Sequence, residues 1–201
     1  QLNHSLTIIN ISNPSNPTEV GYIADQTKGG NATRLAIPED IYVSGKYAYV
    51  TSNNNNSLTI IDISNPYNPT EVGYIADQTK GSTATALDRP RRVYVSGKYA
   101  YVGDTGVGLT FTIYDVSNPS SPLIVSTTAT GAQINSIFVS GKYAYLGQQN
   151  LSGNDLVIYD ISKDTTEFNL YFDLRAIYLN GDYTLKQSIQ IPLKDLITFK
   201  F

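Results

Sequence analysis

Apolar residues stand side by side in "LTIIDI" (58–63) and "RVYVSG" (92–97), instead of occupying every second position. A sheet wetted on one face alternates apolar and polar residues, so runs apolar on both faces predict strands packed between two layers. Tyr, Val, Ile and Thr fill these runs, the residue types that suit a pleated, packed surface. No stretch carries a 3.6-residue apolar period with helix caps. The pattern predicts an all-β chain of short strands, arranged as a β-propeller or as a β-sandwich.

The runs recur. "YVSGKYAYV" stands at 42–50 and again at 94–102, and returns as "FVSGKYAYL" at 138–146. "LTIINISNP" (6–14), "LTIIDISNP" (58–66), "FTIYDVSNP" (111–119) and "LVIYDISKD" (156–164) follow at steps of 52, 53 and 45 residues, and "TEVGYIADQTKG" occurs at 18–29 and 70–81. Periods of about 40–50 residues point to propeller blades. Each unit parses into four strands: "IYVSG" and "KYAYV" joined by a tight turn that needs its glycine, then "LTIIDIS" closed by Asn-Pro, then "TEVGYIA". Such blades cover each other's faces, which favours the propeller over the sandwich.

The phrase "VSGKYAYV" followed by "LTIIDISNPYNPTEVGYI" resembles the LVIVD repeat, a β-propeller family of exported and surface proteins of bacteria and archaea. The resemblance covers most of residues 1–162. It implies the fold and an extracellular or cell-surface location, and it implies no particular reaction.

The chain opens in mid-unit, with residues 6–12 and 18–25 as third and fourth strands, and complete units run over about 39–77, 91–130 and 135–172. Near the other end "AIYLNGDYTLK" (176–186) resembles "DIYVSGKYAYV". Pairing 176–186 with 6–12 would give a four-bladed ring with a composite closing blade and no open sheet edge. Residues 1–187 are then the propeller. Residues 188–201 are a strand-forming tail in which Ile197, Phe199 and Phe201 alternate with polar residues, as candidates for contact with a neighbouring subunit.

Composition narrows the chemistry. A net charge of −3 with 15% charged residues leaves no basic stripe for nucleic acid, and no segment is long and apolar enough to span a bilayer as a helix. The chain holds no Cys, no Met and one His, which excludes thiol nucleophiles, thiolate or multi-His metal sites and Cys-His dyads. Without an initiating methionine, Gln1 reads as a mature terminus or the edge of a fragment. Asn3, Asn31, Asn55 and Asn150 head Asn-x-Ser/Thr sequences and are glycosylation candidates, whereas Asn10 lies inside an apolar run and reads as a strand residue.

His4 reads as a surface residue near a fraying end. Asp62, Asp115 and Asp160, with Asn10 as their counterpart, recur at the end of every third strand and read as turn-forming acceptors, not as a catalytic pair. "DTGVG" (104–108) reads as a hairpin tip, and "NNNN" (53–56) and "QQN" (148–150) as exposed loop tips. "DRPRR" (88–92) leads into a first strand. Alignment of the units places Glu39, Arg91, Asn135 and Arg175 at one position, with Arg92 at the next. As first strands line a propeller's axis, these five residues are candidates for the axial mouth, where Arg91 and Arg175 would make an anion or carboxylate site. The plainer expectation is a blade-to-blade ion pair of Glu39 with Arg91 or Arg92.

The sum is an expectation of a noncatalytic structural or adhesive propeller, secreted or on the cell surface. It would need no cofactor or metal, and its partners would be other copies of itself or surface proteins and glycans. A ligand-binding propeller with its site at the axial mouth is the alternative, and a carboxylate-based hydrolase or lyase comes last.

Overall fold

The protein is described by a computed structural model that covers residues 4–77, 87–150, 153–162, 167–178 and 181–192, the last two stretches through their backbone. It is all-β, with one short 3-10 turn at 26–28 and no helix able to cross a membrane among the described residues. The strands in chain order are β1 (Ser5–Asn10), β2 (Thr18–Ala24), β3 (Pro38–Ser44), β4 (Tyr47–Ser52), β5 (Ser57–Asp62), β6 (Thr70–Ala76), β7 (Pro90–Ser96) and β8 (Tyr99–Asp104). They continue as β9 (Thr110–Asp115), β10 (Leu123–Ala129), β11 (Gln133–Ser140), β12 (Tyr143–Asn150), β13 (Gly153–Asp160), β14 (Glu167–Tyr178) and β15 (Gly181–Pro192).

Each repeat folds as an antiparallel blade in chain order. The first is β3-β4-β5-β6, the second β7-β8-β9-β10 and the third β11-β12-β13, preceded by the pair β1-β2. The Ser-Gly-Lys turns are two-residue hairpins whose first residue is Gly45, Gly97 or Gly141, each with φ between 57° and 59°. That backbone matches the twist of the strands, and its positive φ is adopted at little cost by glycine. Asp62, Asp115 and Asp160 close the third strands as expected. Each Oδ1 accepts the N–H of the serine two residues on, at 2.8–3.0 Å, and the amide oxygen of Asn10 does the same for Ser12. Asp62 and Asp115 also meet the turn lysines Lys46 and Lys98, at 3.4 and 3.1 Å. Hydrogen bonds from Ser117 come first in holding the Asp115 carboxyl down at about 2.

Residues of one strand are shared between two layers. Ala48, Val50 and Ile61 face Ile23 of β2 and Leu35 of the loop between β2 and β3. Their neighbours Tyr49, Leu58 and Ile60 face Val93, Ala100 and Tyr114 of the second blade. In β5 every residue from Ser57 to Ile61 is buried, which is why "LTII" shows no alternation. The inner strands β3, β7 and β11 lie side by side in that order, as the first strands of propeller blades do.

The chain divides into two compact units, Gln1–Tyr159 and Asp160–Phe201. In the second unit β14 and β15 pair over twelve residues each, from Glu167↔Pro192 to Tyr178↔Gly181. Of the strands expected to share a closing blade, β1 pairs with β2 and β14 pairs with β15. Residues 176–186 pair within that hairpin, as the first and second strands of a unit do, from Ala176↔Tyr183 to Tyr178↔Gly181. The run "EFNLYFDLRAIY" (167–178) has no glycine or proline to end a strand before residue 176. The fourth strand expected for the third unit therefore runs on into the next first strand. Residues 188–192 of the expected tail belong to β15, whereas Ile197, Phe199 and Phe201 lie outside the described residues, as does Asn3.

Candidate functional site

The first strand of every blade carries a bulge at one register position. Pairing skips Glu39 between Pro38↔Ser52 and Asp40↔Thr51, Arg91 between Pro90↔Asp104 and Arg92↔Gly103, and Asn135 between Ile134↔Gln148 and Ser136↔Gly147. A bulge turns a side chain away from the ladder and sharpens the local twist. Three of the expected axial residues therefore share one distinctive backbone position. Glu39 is exposed, and Arg91 and Asn135 are half-buried. Asn135 donates through Nδ2 to Oε1 of Gln149 at 3.1 Å. Arg175 lies in β14 of the second unit, in register with Thr184.

The residue after the bulge joins one blade to the next. Asp40 Oδ2 accepts the Val93 N–H of the second blade at 3.0 Å, while Oδ1 accepts its neighbour Ile41 N–H at 3.0 Å. Arg92 reaches the third blade, where its Nε donates to the Asn135 carbonyl at 2.7 Å, and its Nη1 donates to the Arg91 carbonyl at 3.0 Å. The expected ion pair of Glu39 with Arg91 or Arg92 is not formed among the described residues. A guanidinium held between two backbone carbonyls already has charge-assisted partners, and the exposed Glu39 would give up water to compete for it. Replacing Asp40 with alanine should leave the buried Val93 N–H unpaired and cost about 1–3 kcal/mol. Asp40→Asn keeps an acceptor and should cost less. Urea midpoints that fail to rank wild type, Asn and Ala in that order would show that the bond does not tie the blades.

Beside these latches the inner strands carry a row of rings. Tyr42 and Tyr94 lie with centroids 4.7 Å apart, and Tyr94 meets Phe138 edge-on at 5.6 Å. All three stand at the first position of the repeated phrase. Phe138, at the end of the row, is 57% exposed.

A second set was missed from the sequence. Ser52, Asp104 and Gln148 end or nearly end the second strands, in register with Pro38, Pro90 and Ile134, and all three are buried. Each keeps one polar atom without a hydrogen-bond partner among the described residues: Ser52 Oγ, Asp104 Oδ1 and Gln148 Nε2. Oδ2 of Asp104 accepts from the Asp88 N–H at 3.1 Å and the Thr110 hydroxyl at 3.0 Å. Burial pushes its pKa up to about 8, with the nearby Asp88 carboxylate adding to the rise. The signal was a polar residue at one fixed place in each repeat, hidden because its identity changes from blade to blade.

Other expectations divide. Of "DTGVG", Asp104 ends β8, and the remainder is the hairpin tip with Val107 exposed. "QQN" (148–150) is not a loop, since it ends β12 and Gln148 is buried, so Asn150 lies in a strand. In the "NNNN" turn Asn54 is exposed and Asn55 half-buried, while Asn31 is exposed in the β2–β3 loop. His4 is half-buried rather than on the surface, and its carbonyl accepts the Asp25 N–H at 2.8 Å.

Comparison with known proteins agrees with this arrangement. No curated protein matches the chain. Among solved structures it is similar to a Lactobacillus plantarum protein, at 15% identity and TM-score 0.58 over 94% of this chain and 50% of that one. It is also similar to a Desulfotomaculum acetoxidans protein of unknown function, at 17% identity and TM-score 0.55 over 80% and 52% of the two chains. A third, from Bacteroides uniformis and provisionally described as a 6-phosphogluconolactonase, matches at 16% identity and TM-score 0.53 over 93% and 49%. The chain spans about half the length of the structures it matches, and at these identities the likeness concerns the fold alone. The LVIVD repeat matches four times, at residues 2–25, 30–77, 90–130 and 132–172. The third and fourth matches begin at the bulged first strands of the second and third blades, and with most of its length matched the chain belongs to the LVIVD repeat family of β-propellers.

Proposed function

We propose that this chain is a noncatalytic structural or adhesive β-propeller of the cell surface or extracellular space, which joins further copies of itself through its C-terminal strand. One observation carries the reading: the charged groups beside the bulges and at the ends of the third strands are engaged in holding the fold. Asp40 and Arg92 bind the backbone of the next blade, and Asp62, Asp115 and Asp160 bind turn amides. The polar, weakly charged composition and the exposed acceptor sequence at Asn31 support export. The acidic groups and the absence of any basic stripe argue against nucleic acid as a partner.

Assembly through a strand would add residues 188–201 to a sheet of a neighbouring copy, where main-chain hydrogen bonds supply affinity. Such a contact is head-to-tail and propagates into filaments unless its rotation closes a ring. Deleting residues 188–201 should lower the particle mass in light scattering to that of one chain. An unchanged mass would sink the assembly reading. A ligand site at the axial mouth is the second reading, favoured by the exposed Phe138 ring on the inner strand that carries the bulge residue Asn135.

A further inference from the structure

The loop between β2 and β3 is held on the first blade by four side chains. The Ser57 and Thr59 hydroxyls both donate to the Arg34 carbonyl, at 3.0 and 2.7 Å. The Glu71 carboxylate accepts the Thr33 N–H at 2.8 Å and also the Thr33 hydroxyl. The Arg34 guanidinium lies over the Tyr74 ring, 5.0 Å from its centroid. Leu35 then enters the core beside Ile61, both fully buried.

The same four residues recur 52 positions earlier as Ser5, Thr7, Glu19 and Tyr22. Their register is also the same: Thr7↔Tyr22 and Ile9↔Glu19 repeat Thr59↔Tyr74 and Ile61↔Glu71, with the same bulge between the two pairs. On β1 and β2, however, the cradle is bare. Thr7 and Glu19 are exposed, Tyr22 is 61% exposed, and Ile9 is 46% exposed where Ile61 is fully buried. None of the four side chains has a hydrogen-bond partner among the described residues. The second blade shows what the cradle selects. There the set reads Thr110, Thr112, Ile124 and Thr127, and the preceding loop carries Ala86 where the first has Arg34. Glutamate and tyrosine are present where the loop offers Thr-Arg and absent where it offers Thr-Ala.

We infer that β1 and β2 form a docking site for an Ala-Thr-Arg-Leu loop and the strands that follow it, presented by a further LVIVD-type repeat outside this chain's own blades. The chain's own Thr33-Arg34 loop is already seated on Glu71 and Tyr74, so it does not supply the occupant. The carboxylate reads one backbone N–H and a hydroxyl, the ring reads a guanidinium, and the two hydroxyls read a carbonyl. Ile9 gives the leucine an apolar floor. The site is separate from the C-terminal strand proposed above, and removing residues 188–201 should leave it unchanged, so either idea can fail alone.

The probe is a fluorescent synthetic peptide of residues 30–52, titrated into the intact chain and read by anisotropy. It should bind with 1:1 stoichiometry. An Arg34→Ala peptide should bind at least about 10-fold more weakly. Glu19→Ala and Tyr22→Ala in the protein should each weaken binding by a similar factor. Both residues are exposed, so melting curves of the two variants should overlay wild type. No binding by the wild-type peptide overturns the proposal. So does binding that is indifferent to Glu19, Tyr22 and Arg34, because the peptide would then sit elsewhere.

Discussion

Replacing Asp104 with asparagine is expected to remove a fall in stability between about pH 4 and pH 8. In the folded chain this carboxyl has its pKa raised to about 8 by burial, whereas an unfolded aspartate titrates near 4. Between those values the folded state holds a proton that the unfolded state has released. Stability from this group is therefore greatest below pH 4, declines by about 1.4 kcal/mol per pH unit, and levels off above 8, a loss on the order of 5 kcal/mol. An asparagine at 104 keeps the acceptor that the Asp88 N–H and Thr110 use, and places its amide nitrogen where Oδ1 has no partner. Leaving that nitrogen unpaired costs about 1–3 kcal/mol at every pH. The two stability curves should thus cross: the variant is weaker than wild type at pH 4 and more stable at pH 8. Thermal melts across this range decide the matter. Parallel curves would mean that Asp104 is charged in the folded protein and has a partner.

Asp104 also marks where the sequence stopped being informative. The blade strands were legible because identical phrases return and because burial on both faces erases alternation, as in "LTII". The turn chemistry was legible too, since Gly45 and Asp62 act through their own neighbours. Asp104, Ser52 and Gln148 differ in type, and only the register with Pro38, Pro90 and Ile134 shows that they share a place. Glu39, Arg91 and Asn135 share one register position, but their bulges were invisible, because a skipped pairing leaves no mark on composition. That is why the sequence suggests Glu39 with Arg91 or Arg92, whereas Arg92 binds the Asn135 carbonyl. Nothing in the repeated phrases singles out the loop of residues 25–37. Its Asp25, which accepts from Thr27 and Leu35, and its fully buried Leu35 make it a packed part of the blade interface. The C-terminal hairpin differed for the opposite reason: residues 167–178 continue a strand pattern across the point where the repeat places a boundary.

The outer strands carry the other large effect. Gly73, in β6, lies against the Asn-Pro turn of the second blade, so that a Cβ there would stand 2.2 Å from the Pro119 carbonyl oxygen and 2.8 Å from the Ser120 Cα. Gly21 of β2 meets the Pro66 carbonyl of the first blade in the same way, at 2.4 Å. Neither glycine has a positive φ, so its backbone does not demand glycine; the approaching turn does. That turn cannot retreat cheaply. Asn118 Oδ1 accepts the Ser120 N–H at 3.3 Å and the Asn118 carbonyl accepts the Ser121 N–H at 3.0 Å, while proline fixes the path between them. In β10 the equivalent residue is Ser126, and the turn of the following repeat reads Ser-Lys-Asp where the others have Ser-Asn-Pro. Glycine and Asn-Pro are lost together, as two halves of one contact. Gly73→Ala should therefore destabilise the protein by about 2–3 kcal/mol, although alanine in an open strand would be better than glycine by roughly 0.5–1 kcal/mol. For a chain of this size the melting temperature should drop by roughly 5–10 °C. Gly21→Ala should shift it in the same direction. If Gly73→Ala melts at or above the wild-type temperature, the Asn-Pro turn does not press on β6.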